Sequence, residues 1–371
     1  MNRLLPFLDG RTKAHGWLVR SGMAVLGGMG RGYGWIQAQR SSAYQKGILS
    51  SWKADCPVIA VGNLTAGGTG KTPMTAWLGR YFLGRGIPLA IVSRGYRQQS
   101  RAAITVVADG QGHYLSAPEA ADEAVLLAHA LPGARILTGT DRRRLIQHAF
   151  QHLECRLILM DDAYQHLQVK RDFNLLLLDA HHPLGNGRLL PGGLLREMPQ
   201  AMARADAVIV TRAGDKHDID ATTAIIRRYA PGVPMAYCRH QPRYWIRAGD
   251  NSIWPLNSLA GEKALAFCGI GNPESFRSTL ADVSVSPVFF QAFPDHYPID
   301  ISEIRHLEGL ARTHGASVLL TTQKDYVKIP PGLTHLPIYA LVIDIHFLQI
   351  PSWLTQRLEE IAAMVIQPSG R

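Results

Sequence analysis

Lys71 and Thr72, set behind Gly67, Gly68 and Gly70, are residues that can hold a triphosphate. A lysine at this spacing reaches β- and γ-phosphates, and the following threonine hydroxyl reaches Mg²⁺. The glycines let backbone N–H groups turn toward an anion, and a helix N-terminus adds partial positive charge. The phosphate-binding stretch would be Thr65, Ala66, Gly67, Gly68, Thr69, Gly70, Lys71 and Thr72. A strict phosphate loop has glycine five positions before Gly70, where this chain has Thr65. Taken alone, the stretch could also be a glycine-rich turn. A second pair, Asp161 and Asp162, ends the apolar run 156–160. One carboxylate there would hold Mg²⁺ directly or through water, beside Thr72. The alternative is an ordinary turn after a strand.

Other charged residues carry less context. Arg94 and Arg97 follow a strand-like run, where open α/β sheets bind ligands, although a solvated loop explains them too. Arg142, Arg143 and Arg144 read most simply as a solvated helix face. Asp122 and Glu123 fall in the first turns of a helix, where acids favour the dipole.

The elements that must position these groups follow from hydrophobic pattern. Residues 58–61 read as a buried strand, and Met74, Trp77, Leu78, Tyr81 and Phe82 recur at helical spacing. Pro73 suits a first helical turn, where its missing N–H has no partner to lose. Strands are expected at 88–93, 104–108, 135–137, 156–160, 173–178 and 207–211. Helices are expected at 118–131, after Thr140 or Asp141, and at about 221–229. A glycine- and proline-rich loop, 182–197, carries Asn186, Arg188 and Arg196; a loop of that length in a compact domain is usually functional. Further strands are expected at 264–268, 288–292, 318–321 and 339–345, with a last helix at 353–365. Thr322-Gln323-Lys324-Asp325 resembles a GTPase base-reading motif only superficially, because no residue separates Lys324 from Asp325. The alternation implies parallel sheets. The expected fold is α/β: a P-loop NTPase-like parallel-sheet domain at 54–236 and a smaller α/β domain at 237–371. A basic segment, 1–53, precedes them.

The chain has 371 residues, enough for two domains, and a net charge of +10. Its four cysteines are widely spread, form no CxxC pair, and suggest neither zinc nor disulfides. Residues 1–53 hold eight Lys or Arg (Arg3, Arg11, Lys13, Arg20, Arg31, Arg40, Lys46, Lys53) against one acid, Asp9. Residues 17–36 are apolar, but Arg20 and Arg31 interrupt them, so a transmembrane helix is not expected, nor is a secretory signal. Basic and apolar residues together suit a helix on an anionic membrane surface; a basic helix packed on the core fits equally well. Nucleic acid is a weaker reading, since no recognition motif accompanies the charge.

Five stretches together resemble the tetraacyldisaccharide 4′-kinases of lipid A biosynthesis. They are 61–73 (VGNLTAGGTGKTP), 93–96 (SRGY), 161–166 (DDAYQH), the loop PLGNGRLLPGGLLRE and the FPDH of residues 293–296. The resemblance spans about residues 1–345. It implies an enzyme on the cytoplasmic face of a Gram-negative inner membrane, held there by the N-terminal segment. The implied reaction moves the γ-phosphoryl of ATP, with Mg²⁺, to the 4′-hydroxyl of an acylated glucosamine disaccharide 1-phosphate. No nucleic acid or obligate protein partner is implied. Carried over by residue, Lys71 and Thr72 match the phosphate-loop pair, and Asp161 and Asp162 the metal-side carboxylates. Asp122 matches the catalytic base and His296 its partner. Ala163-Tyr164 departs from the family's usual Gly-Phe, which implies that position 163 needs no positive φ. Two other classes stay open at this point. One is a P-loop ATPase or GTPase switch that needs a protein partner; the missing base-reading motif speaks against the GTPase form. The other is a soluble kinase for a small metabolite, for which residues 1–53 would be dispensable.

Overall fold

In the computed structural model, residues 17–214, 216–329 and 335–366 are described, with side chains from residue 25 onward. The first element is helix α1 (Trp17–Gln45). Arg3, Arg11, Lys13 and the side chain of Arg20 lie outside the described residues. The helix lays Gly27, Gly30 and Gly34 on the 182–197 loop: a Cβ added at Gly30 would come 2.8 Å from the Leu189 carbonyl oxygen. Val25, Met29 and Ile36 share the opposite face and are exposed. Among the described helices, none is long and apolar enough to cross a membrane.

Next come β1 (Val58–Asn63), α2 (Lys71–Leu83), β2 (Leu89–Ser93), β3 (Thr105–Asp109), α3 (Asp122–Ala130) and β4 (Arg135–Thr138). They are followed by α4 (Arg142–His152), β5 (Leu157–Met160), β6 (Phe173–Asp179), β7 (Ala207–Thr211) and α5 (Lys216–Tyr229). The second half holds β8 (Met235–Arg247), β9 (Ile253–Trp254), β10 (Ala264–Cys268), α6 (Pro273–Asp282) and β11 (Phe289–Ala292). The described chain closes with α7 (Ile301–Thr313), β12 (Val318–Thr322), α8 (Gln323–Tyr326), β13 (Ile338–Phe347) and α9 (Ser352–Ile366).

One sheet runs through both halves in the order β11-β10-β12-β13-β8-β7-β6-β1-β5-β2-β4-β3. β1 is buried along its whole length between β5 and β6, parallel to both. Burial on both faces is why its sequence is a continuous apolar run rather than an alternating one. The sheet is not parallel throughout. β3 pairs antiparallel with β4, and β8 pairs antiparallel with β13 and β9.

β8 is the joint. Its first residues, from Met235 to Tyr237, continue the first-half sheet beside β7, and those from Cys238 to Arg247 pair with β13. No strand is legible here from the amino-acid pattern, because Pro242 and alternating polar residues interrupt the apolar run. The proline is accommodated at a register shift opposite Val342 and Ile343. The boundary drawn at 236/237 falls inside this strand, and α9, beyond it, returns to the first half. Leu354, Leu358 and Ile361 share a core with Ile59, Phe173 and Leu175. All four cysteines are buried, and burial pushes their thiols up to about 11 at Cys155 and about 12 at Cys56, Cys238 and Cys268.

Candidate active site

β1 delivers the chain into a loop that is braced from its sides. Asn63 Nδ2 donates to Thr69 Oγ1 (2.7 Å), Thr211 Oγ1 donates to the Thr69 carbonyl (3.0 Å), and Arg212 Nη2 donates to the Gly68 carbonyl (3.0 Å). Gly67 and Gly70 take φ of 125° and 84°, which side chains rarely adopt. At Gly70 space is also short: a Cβ there would lie 2.5 Å from His240 Nε2. No side chain caps the N-terminus of α2, so its first N–H groups are left for an anion. Thr65 occupies the position of the missing glycine; it is buried and bridged to Leu195 of the long loop. The Ala66 N–H donates to the Leu194 carbonyl (2.7 Å), and the Arg196 N–H to the Leu64 carbonyl (2.7 Å). Asn186 turns inward and donates to the Gly192 carbonyl (3.1 Å), which holds the long loop in shape.

Because β5 is the hydrogen-bonded neighbour of β1, its C-terminal turn arrives beside the loop. Asp161 is 4% exposed and accepts a hydrogen bond from Thr75 Oγ1 of α2 (2.9 Å). Burial, reinforced by Asp162, pushes its carboxyl up to about 6. Asp162 has the opposite fate. Burial would raise it too, but Lys71 and Arg196 outweigh burial and hold it below the usual carboxylate range. Its Oδ1 lies 2.7 Å from Arg196 Nη1 and 3.7 Å from Lys71 Nζ. Burial pulls the Lys71 ammonium below its ordinary value, against the attraction of Asp162. In this turn Asp162 is the left-handed residue (φ 50°), not Ala163. Tyr164 is fully buried, and its hydroxyl donates to the Ala201 carbonyl (2.6 Å).

The donor set suits Mg²⁺. The Thr72 hydroxyl and the two carboxylates are hard oxygen ligands, and Asp161 is a buried acid that a divalent cation would relieve. Among the described residues, no group of three or more His, Cys, Asp or Glu could hold a metal by itself. That fits an ion which completes its shell with phosphate oxygens and water. The arginine run after β4 is not wholly solvated. Arg143 and Arg144 are exposed, but Arg142 is buried, donates to the Gly139 carbonyl, and interacts with the charges of Asp161 and Asp162.

A second cluster is assembled from both halves. Strands β11, β10 and β12 are parallel neighbours, so the segments leaving their C-terminal ends gather at one edge. These segments carry Gly269, His296 and Lys324. Opposite them stands the N-terminus of α3, which packs against both α2 and α8. His296 Nδ1 lies 3.2 Å from Asp122 Oδ2. Its Nε2 lies 3.2 Å from Lys324 Nζ and 3.6 Å from Glu123 Oε1. Lys328 Nζ lies 3.8 Å from Asp122 Oδ2. Burial works to raise the Asp122 carboxyl, but the His296 hydrogen bond and the ammonium groups of Lys328 and Lys324 keep it below its ordinary value. Glu123 spans the two clusters: it pairs with Lys324 (3.5 Å), and its charge acts on Lys71 and Asp161.

Reading the sequence did not single out Lys324 or Lys328. The signal is the Thr322–Asp325 tetrapeptide after an apolar run, whose spacing does not suit a base reader. Its aspartate is a structural anchor: Asp325 is fully buried and accepts from the Gly269 N–H (2.9 Å), Thr322 Oγ1 (2.7 Å) and Lys328 Nζ (2.9 Å).

Residues 23–362 match the family described as tetraacyldisaccharide-1-P 4′-kinase. A tetraacyldisaccharide 4′-kinase of Geobacter metallireducens is 40% identical over 88% of this chain and 95% of its own length. Its counterpart from Geobacter sulfurreducens is 39% identical over 89% of this chain and 90% of its own. The solved structure of LpxK from Aquifex aeolicus in complex with ATP superposes with a TM-score of 0.75 at 28% identity, covering 91% of this chain and 99% of that one. The chain belongs to the tetraacyldisaccharide 4′-kinase family.

Proposed function

We propose that this protein transfers the γ-phosphoryl group of ATP to the 4′-hydroxyl of a tetraacylated glucosamine disaccharide 1-phosphate. The observation that carries the reading is the meeting of Asp122 and His296, from opposite halves of the chain, beside an uncapped phosphate loop. The backbone of residues 65–72 and the Lys71 ammonium grip the phosphates and neutralise charge that builds in transfer. Thr72 and the Asp161 and Asp162 carboxylates would hold Mg²⁺. When bound, that ion neutralises phosphate charge and fixes the triphosphate's orientation. Asp122 takes the proton of the sugar hydroxyl as its oxygen bonds to phosphorus, and His296 orients the carboxylate.

The acceptor is a lipid, and α1 offers the exposed Val25, Met29 and Ile36 on the face turned away from the protein. We place that face on the cytoplasmic surface of the inner membrane, with the basic N-terminal residues against anionic headgroups. The test is mass spectrometry of the lipid after incubation with ATP, Mg²⁺ and the acylated disaccharide. The reading expects one added phosphoryl group at the 4′ position, and an unmodified lipid would refute it.

A further inference from the structure

We propose that Lys324 is a positioning residue that sets the tautomer of His296: it donates to Nε2, so that the imidazole proton sits on Nδ1 and points at Asp122. The inference rests on the reading of Asp122 as the base that accepts the hydroxyl proton. An ammonium group has donors and no acceptor, so at 3.2 Å from Lys324 Nζ the Nε2 atom is the acceptor of the pair. A neutral imidazole that accepts at one nitrogen carries its hydrogen on the other. That other atom, Nδ1, lies 3.2 Å from Asp122 Oδ2 and donates to it. One oxygen of Asp122 is thereby held by His296, leaving the other to face the acceptor hydroxyl. With the opposite tautomer, a bare Nδ1 lone pair would confront a carboxylate, and the two would repel.

The surroundings hold Lys324 in this role. Its ammonium lies 3.1 Å from Asp295 Oδ1 and 3.5 Å from Glu123 Oε1. Although burial opposes the charged form, these two carboxylates outweigh it and raise the lysine above its ordinary value. The anchoring of Asp325 keeps α8 in place, so the lysine side chain starts from a fixed backbone. The groups facing His296 are Asp122 and Glu123 on α3, Asp295 on its own loop, Lys324 and the edge of the Tyr96 ring. Lys328 acts on Asp122 from the same side. Without Lys324, the facing charges around the ring would be the carboxylates of Asp122, Glu123 and Asp295. These favour an imidazolium, which binds Asp122 more tightly and weakens it as a base.

The test is ¹⁵N NMR of the full-length protein labelled in histidine, with His296 assigned from the spectrum of His296→Gln. Wild type should show His296 in the Nδ1–H form at neutral pH. Lys324→Met should convert it toward the Nε2–H form or the imidazolium. The same variant should lower kcat by about 10- to 100-fold, leave KM for ATP unchanged, and shift the acidic limb of the kcat–pH profile to higher pH. Lys324→Arg, which keeps a donor, should recover part of the loss. An Nε2–H tautomer in wild type would overturn the proposal, as would a tautomer and an acidic limb that Lys324→Met does not move. The NMR result is independent of turnover. If Asp122→Asn retained full activity while His296 was the Nδ1–H form, the assignment of the base would fail and the tautomer assignment would stand.

Discussion

Residues 65–72, the proposed phosphate loop, form one uninterrupted stretch, whereas Asp122, His296, Lys324 and Lys328 come together from three distant segments. The first region depends on backbone shape: positive φ at Gly67 and Gly70, an uncapped helix end, and braces to loop carbonyls. The second depends on side-chain charge brought to one edge by strand order. On the proposed reading, grip on a phosphate is thus written locally, and proton handling is written in the topology. Even within the phosphate end, environment separates two adjacent acids, since burial raises Asp161 while Lys71 and Arg196 hold Asp162 low.

The contrast can be broken at either end. Lys71→Met should lower kcat by about 100- to 1000-fold, because a preorganised charge on the transferring group is removed; steady-state kinetics at saturating ATP measures it. Asp161→Asn separates function from stability. The native carboxyl titrates at about 6, above its unfolded value, so the folded state binds more protons between those two values and stability falls as pH rises through them. At pH 7 the variant should be more stable than wild type by on the order of 1–3 kcal/mol, and the gap should close near pH 4. Urea melts at the two pH values test this, and a gap independent of pH would refute it.

Gly70→Ala probes the backbone term. Its left-handed φ and the approach of His240 predict a loss of about 1–2 kcal/mol or more, of which His240→Ala in the same chain restores only the contact part. The smallest effect is expected at the clasp between α2 and β13. Arg80 pairs with Asp344 of β13 at a partly exposed site, so Arg80→Ala should cost about 0–1 kcal/mol. Thermal melts distinguish these from the larger changes.

The same contrast decided what the sequence could reveal. The glycine-rich loop after β1, the adjacent strand 156–160 and a helix start at Thr140 or Asp141 could be read because each signal lies within a few residues; the cap is Asp141. β8 could not, because a joint strand that changes partners halfway carries no single alternation and tolerates Pro242 at a bulge. Asp122 looked like an ordinary acid at a helix start, and only the family likeness gave it a role. Arg142 was hidden in a run of three arginines, since nothing in the run says which one turns inward. Lys324 and Lys328 acquire meaning only when β12 is laid beside β10, with β11 on the far side of β10.

The proposed reaction needs both regions acting on one phosphoryl group, with binding at one and proton removal at the other. The direct measurement pairs calorimetry of ATP binding in the presence of Mg²⁺ with turnover on the acylated disaccharide, for wild type and Asp122→Asn. In the variant, ATP affinity should be unchanged and kcat reduced by about 100- to 10,000-fold. Full turnover by Asp122→Asn would contradict this, as would a wild-type protein that binds no ATP.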